Sequence, residues 1–153
     1  MTSRGKFIVV EGGEGAGKTT CLKALREGFS SDESAVFTRE PGGTPLAEEI
    51  RGLILNRDGE ASALTNFFMF CSARSDHLDR RVYPSLVSGK HVISDRFDAS
   101  TYAYQICGQE NRSLEDIFWS VRRLWGVKPD CYIHLDVDFE EGLRRRRGQG
   151  EEI

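Results

Sequence analysis

The sequence predicts an α/β fold: a parallel sheet with helices on both faces. Three observations carry this. Four short apolar runs, Phe7–Val10, Ala35–Thr38, His91–Asp95 and Cys131–Val137, have the length of strands, and helical patterns lie between them. The first and last runs are mostly apolar on both sides, as strands covered on both faces are. A glycine-rich turn, Gly12 to Gly17, joins the first strand directly to the first helical pattern. Strand–helix alternation of this kind builds βαβ units, and 153 residues without a repeat or a low-complexity linker make one domain, 1–153.

Each helix has its own signal. Lys18–Phe29 follows the glycine turn. Arg39-Glu40-Pro41-Gly42-Gly43-Thr44 is a Pro/Gly turn whose last residue suits the N-cap of a helix over Thr44–Leu55. Thr65–Ser88 is long and periodic; Leu64, Phe67, Phe68, Cys71, Leu78, Val82 and Leu86 form its expected core stripe. Phe70 and Arg74 are i, i+4 neighbours lying roughly 100° round from that stripe. Ser113–Leu124 opens with Ser113 and Asp116, close to a capping box, and a last helix starts at Asp138 with Glu141 three residues on.

Composition narrows the function. Lys and Arg number 21 and Asp and Glu 24, a formal charge of −3, which disfavours a bulk nucleic-acid or membrane coat. Nine Phe, four Tyr and two Trp disfavour disorder. The longest apolar runs fall far short of the roughly 20 residues that span a bilayer, and Met1-Thr2-Ser3-Arg4 has no hydrophobic signal core, so no signal sequence is expected. Cys21, Cys71, Cys107 and Cys131 are scattered, as are His77, His91 and His134; reduced thiols in a cytoplasmic protein are expected, and neither a disulfide framework nor a zinc site.

The chemistry begins at Gly12-Gly13-Glu14-Gly15-Ala16-Gly17-Lys18-Thr19, which fits G-x-x-x-x-G-K-[ST] between a buried strand and a helix. Glycines let backbone N–H groups turn towards phosphate oxygens, and the helix N-terminus adds its positive dipole end. Lys18 then serves the β- and γ-phosphates, and Thr19 offers a hydroxyl to Mg²⁺. His91–Asp95 is an apolar strand ending in a carboxylate; at the C-terminal edge of a parallel sheet Asp95 faces the same crevice and is a second candidate for Mg²⁺. Arg96 follows and suits bidentate phosphate binding. Phe70 with Arg74 suits stacking on a base and bonding its edge. Thr101, Tyr104 and Gln105 form an i, i+3, i+4 group just after Asp95-Arg96 that suits polar contacts to a base edge, and Arg39 suits an anion; a structural role and a surface arginine are the plainer readings of these last two.

Taken in order, these stretches resemble one family, bacterial thymidylate kinase, a P-loop nucleoside monophosphate kinase. The matching residues are Glu11 to Thr20, Thr38 to Thr44, Met69-Phe70 with Ala73-Arg74, Asp95-Arg96-Phe97 with Ser100-Thr101 and Ala103-Tyr104-Gln105, and Pro129-Asp130 with Leu135-Asp136-Val137. The resemblance implies the three-layer P-loop NTPase fold and phosphoryl transfer from ATP, with Mg²⁺, to thymidine 5′-monophosphate (dTMP) in a cytoplasmic homodimer. It implies that Glu14 meets the deoxyribose 3′-hydroxyl, that Arg39 and Arg96 bind the acceptor phosphate, that Pro41 belongs to the substrate site, that Phe70 stacks on thymine and that Arg74 meets its edge. Thr101 and Gln105 lie near the base, and Tyr104 crowds the 2′ position. Gly15 stands where the eukaryotic type carries an arginine. The bacterial type supplies that charge from a lid, here about 139–153, so Arg144, Arg145 and Arg147 are the implied catalytic arginines beside Lys18 and Arg96. The phosphate loop from Gly12 through Thr20, including Ala16, is the implied ATP site.

Two departures stand out. Ile106-Cys107-Gly108-Gln109 replaces a glycine run leading to an arginine. The family also continues beyond the lid into more helix, a fifth strand and an adenine-contacting loop, so four strands in the order 2-3-1-4 are expected, with the fifth missing. Alternative readings are a nucleotide-binding module with impaired catalysis and a related kinase with another base preference.

Overall fold

The computed structural model describes residues 3–29, 33–56, 59, 61–108 and 112–148. Four parallel strands, β1 (Phe7–Gly12), β2 (Ala35–Arg39), β3 (His91–Asp95) and β4 (Cys131–Leu135), form one sheet in the order β2-β3-β1-β4. Helices α1 (Lys18–Gly28), α2 (Pro45–Asn56), α3 (Ala63–His77), α4 (Tyr83–Val87), α5 (Asp98–Thr101), α6 (Glu115–Leu124) and α7 (Phe139–Gly148) connect the strands. The expected order, and three of the four strands almost to the residue, stand.

β1 and β3 lie inside the sheet and read as apolar runs because both their faces are covered. β4 differs from expectation. It ends at Leu135, and Cys131, Tyr132 and His134 are exposed, because its outer edge has no neighbouring strand among the described residues. The core gathers Phe7, Val9, Val92, Phe67, Leu86 and Phe118 with Phe97 and Trp125; Phe7 and Phe97 meet edge to face at 5.2 Å.

The long helix is not uniform. Between α3 and α4 the chain takes a π-helical course over Leu78–Val82. Arg74, Leu78, Val82 and Leu86 are all buried at intervals of four, which a wider π turn keeps on one face where 3.6-residue turns would carry them off it. Two expected core residues are corrected here: Leu64 is 46% exposed and Phe68 45%, while Phe67 and Cys71 are buried. A second π-helical stretch, Tyr102–Cys107, continues α5 and buries Gln105 and Ile106. Helix α6 follows a 3₁₀ turn, Arg112–Leu114, and no side chain caps it at Leu114, unlike the expected cap near Ser113. At α7 the expectation holds, since Asp138 Oδ1 accepts the N–H groups of Glu140 and Glu141. Thr44 Oγ1 likewise accepts from Ala47 N–H and caps α2.

The C-terminal ends of β1, β2 and β3 converge, as ligand crevices of such sheets do. The ladder runs on past them: Arg96 N–H donates to Val10 O and Glu40 N–H to Asp95 O, each at 2.9 Å. The residues just after β2 and β3 are therefore fixed by backbone bonds.

Candidate active site

After β1 the chain turns through Gly12–Gly17 with φ of 152° at Gly12, 70° at Gly15 and 88° at Gly17. Gly17 offers α1 no side-chain cap, so the first-turn amides stay available to an anion. Lys18 folds back over the loop, and its ammonium donates to Gly12 O at 3.1 Å and Gly13 O at 2.7 Å. Burial, and then Arg96 nearby, lower its pKa; Asp95, Glu11 and Glu14 oppose this. Thr19 lies exposed in the first turn of α1. Asp95 ends β3, and its Oδ1 is buried with no hydrogen-bond partner. An orphaned carboxylate oxygen beside a phosphate loop has the hard-donor chemistry that suits Mg²⁺.

Helix α7 lies on this loop. A Cβ at Gly15 would come within 2.2 Å of Gly142 O, so two backbones touch there. Arg146 pairs with Glu14, and Arg145 Nη1 reaches Gly15 O at 3.4 Å. Arg144 and Arg145 both bond Glu141, whose carboxyl they hold down at about 2. Arg147 is exposed. Positions 149–153 of the expected lid, and Gln109 of the 106–109 loop, lie outside the described residues.

A cleft of about 440 Å³ opens beside the loop, lined by Glu14, Pro41, Phe70, Arg74, Arg96, Thr101, Tyr104 and Gln105, and also by Arg51 and Glu40. Eight residues read from the sequence as acceptor contacts thus share one cavity. Arg96 holds φ 69°, unusual for a residue with a Cβ. Its Nη1 donates to Ser100 Oγ at 2.9 Å, Ser100 Oγ donates to Glu11 Oε2 at 2.7 Å, and its guanidinium lies 5.5 Å from the Tyr104 ring centroid. Arg74 is only 3% exposed, so it is no surface arginine beside Phe70. Its Nε donates to Glu40 Oε2 at 2.6 Å and its Nη2 to Phe97 O and Thr101 Oγ1. Phe97 and Trp125 lie at 5.0 and 4.8 Å from its guanidinium carbon. Nη1 is buried and has no partner.

Arg39 stands apart. It bonds Glu48 at 3.1 Å and lines a neighbouring cleft with Asp95, Thr38 and Gly43.

The thymidylate kinase family profile matches residues 10–153. The chain is 46% identical to a thymidylate kinase of Halorhodospira halophila, over 99% of this chain and 73% of that protein. It is 44% identical to one from Alkalilimnicola ehrlichii, over 97% of this chain and 70% of that protein. The crystal structure of the Ehrlichia chaffeensis thymidylate kinase superposes with a TM-score of 0.80 at 37% identity, covering 95% of this chain and 83% of that one. The chain belongs to the thymidylate kinase family.

Set in a thymidylate kinase, several side chains around the cleft carry more than the sequence revealed. Glu11 is buried and accepts from Phe97 N–H at 2.8 Å and from Ser100; a carboxylate closing an apolar strand was its only signal. Arg51 reaches the cleft from α2 and donates to Pro41 O at 2.9 Å; its sign was the spacing of three from Glu48. Arg146, rather than its three neighbours, pairs with the phosphate loop, and nothing in a run of four arginines singles it out.

Proposed function

We propose that this chain transfers the γ-phosphoryl group of ATP to the 5′-phosphate of dTMP, giving the diphosphate and ADP. An acceptor phosphate oxygen forms the new bond to phosphorus as the bridging bond to the ADP leaving group breaks. No protein nucleophile is needed; positioning and charge carry the step. The observation that carries the reading is the shared cavity, whose lining includes Phe70, Arg74, Arg96 and Glu14 of the phosphate loop.

Residues 12–20 hold the ATP phosphates, with Lys18 exchanging its two loop carbonyls for phosphate oxygens. Thr19 and Asp95 hold Mg²⁺, which when bound neutralises charge on the β- and γ-phosphates. Arg96 binds the acceptor phosphate, and Arg39 joins it on release from Glu48. Phe70 stacks on thymine, Arg74 Nη1 donates to a base carbonyl, Thr101 and Gln105 flank the base, Glu14 takes the 3′-hydroxyl and Tyr104 blocks a 2′-hydroxyl. Arginines of α7 stabilise the charge spread over the transferred group; the contact of Arg146 with Glu14 favours adding it to Arg144, Arg145 and Arg147.

A homodimer is supported by an apolar groove of about 530 Å³ along α3 and α6, with Phe68, Tyr83 and the 82%-exposed Leu124. A cytoplasmic location is supported by four unpaired cysteines. No helix among the described residues is long and apolar enough to cross a membrane.

The test is ADP release from ATP and Mg²⁺ with dTMP, UMP and dCMP side by side. dTMP should be strongly preferred, and Lys18→Ala should abolish turnover while the circular dichroism of the fold persists. Equal rates with all three acceptors would sink the base assignment. Calorimetric dTMP binding without turnover would mark a binding module.

A further inference from the structure

We infer that Glu40, at the cleft wall, and His77, fully buried behind it, are positioning residues that aim Arg74 at the acceptor base; this rests on the reading that the cleft takes dTMP. A guanidinium has five N–H groups. Three of those on Arg74 are spent, one on Glu40 Oε2, one on Phe97 O and one on Thr101 Oγ1. The two on Nη1 are buried and unpartnered, a costly arrangement unless a ligand completes it.

The spent bonds fix which donors remain. Glu40 is 5% exposed and is held from its other side, where Oε1 meets His77 Nδ1 at 2.8 Å. His77 is fully buried, and its Nε2 meets Thr38 Oγ1 at 2.7 Å. A carboxylate oxygen only accepts, so the Nδ1–H of His77 donates to Glu40, while Nε2 is engaged with the Thr38 hydroxyl. Gly43, at φ +89°, packs so closely that a Cβ there would lie 2.5 Å from Thr38 Oγ1 and 2.7 Å from His77 Cδ2. Only a glycine leaves space there for the ring and the hydroxyl. Thr38, Arg39 and Glu40 are consecutive, so one short segment bonds both His77 and Arg74 and also carries Arg39.

Two readouts test this on the whole chain: calorimetric affinities for dTMP and for ADP, and the ¹⁵N-detected Arg74 Nε–H signal. Glu40→Gln and His77→Leu are expected to weaken dTMP about tenfold or more, the usual scale for a lost bond to a charged group. ADP affinity should stay within about twofold, and the Nε–H signal should lose its protection from exchange. His77→Asn keeps an N–H at the Nδ1 position and should recover most of the affinity. Should the Glu40 or His77 variants unfold, Thr38→Val decides by the same comparison, with a smaller loss for dTMP alone. Parallel weakening of dTMP and ADP, or an Asn variant no better than Leu, would overturn the inference, as would unchanged dTMP affinity. If the unaltered chain binds no dTMP, the functional reading fails separately. The Nε–H signal then decides the positioning role, which an unaltered signal in His77→Leu refutes.

Discussion

Arg96 joins a strained backbone to a side chain in the candidate site, so the two can be separated by mutation. Its φ of 69° lies in the left-handed region, which costs a residue with a Cβ about 1–2 kcal/mol. Arg96→Ala and Arg96→Gly both delete the bond to Ser100 and the stacking on Tyr104, so comparing them isolates the backbone. Glycine relieves the strain but gives back about 0.4–1 kcal/mol through the freedom it adds to the unfolded chain. The Gly variant should therefore be the more stable by about 1 kcal/mol, which for a domain of this size is about 2–4 °C in Tm. Both variants should lose about a thousandfold or more in turnover, the scale of a lost arginine in phosphoryl transfer. Thermal unfolding and coupled ADP release measure the two effects. An Ala variant as stable as the Gly variant would refute the strain argument. Turnover near the unaltered rate in either would refute the role of the side chain.

Three further outcomes follow from the geometry. Gly15→Ala places a Cβ 2.2 Å from Gly142 O, whereas Gly17→Ala meets nothing within 4 Å; both carry left-handed strain, but only the first should displace α7, seen as faster proteolysis within 139–148. Burial pushes the Cys71 thiol up to about 11, so at pH 8 roughly one molecule in a thousand carries its thiolate. Mass-mapped iodoacetamide labelling should reach exposed Cys107 and Cys131 well before Cys71. Asp130 accepts Phe7 N–H at 2.8 Å, and this bond, followed by Arg4 and Lys6, holds its carboxyl below the usual 3.8. A depressed folded-state pKa gives stability that is present above the unfolded value and is lost as pH falls through the folded one. Asp130→Asn should thus lower Tm at pH 7, and the difference should shrink below about pH 3.8.

What was legible in the sequence was local. Strand–turn–helix spacing, the phosphate loop, the cap at Asp138 and the alternation that sets a parallel sheet all depend on residues a few positions apart. The acceptor residues were legible too, but through the resemblance: Phe70, Arg74 and Tyr104 come from separate turns of the chain, and no spacing rule brings them to one cavity. What was missed was the burial state. Leu64 lies in the first turn of α3 and Phe68 one position, about 100°, round from buried Phe67, and both fall outside the core. Helical spacing puts Arg74 roughly 100° round from the apolar stripe, yet it is 3% exposed. Its counter-charge comes from Glu40, 34 positions away.

That separation explains how the cleft is built. Glu11, Glu40 and Asp95 all sit at or just beyond strand ends, and two of the three hold an arginine side chain: Glu40 directly, Glu11 through Ser100. Paired carboxylates of this kind hold Arg74 and Arg96 before any ligand arrives, so the cost of ordering two long side chains is met in folding rather than in binding. Asp95 is the exception, with Oδ1 left without a partner. The same logic separates it from the others: a carboxylate with an arginine positions a donor for phosphate or base, whereas a half-buried carboxylate with one buried, unpartnered oxygen is left to a cation.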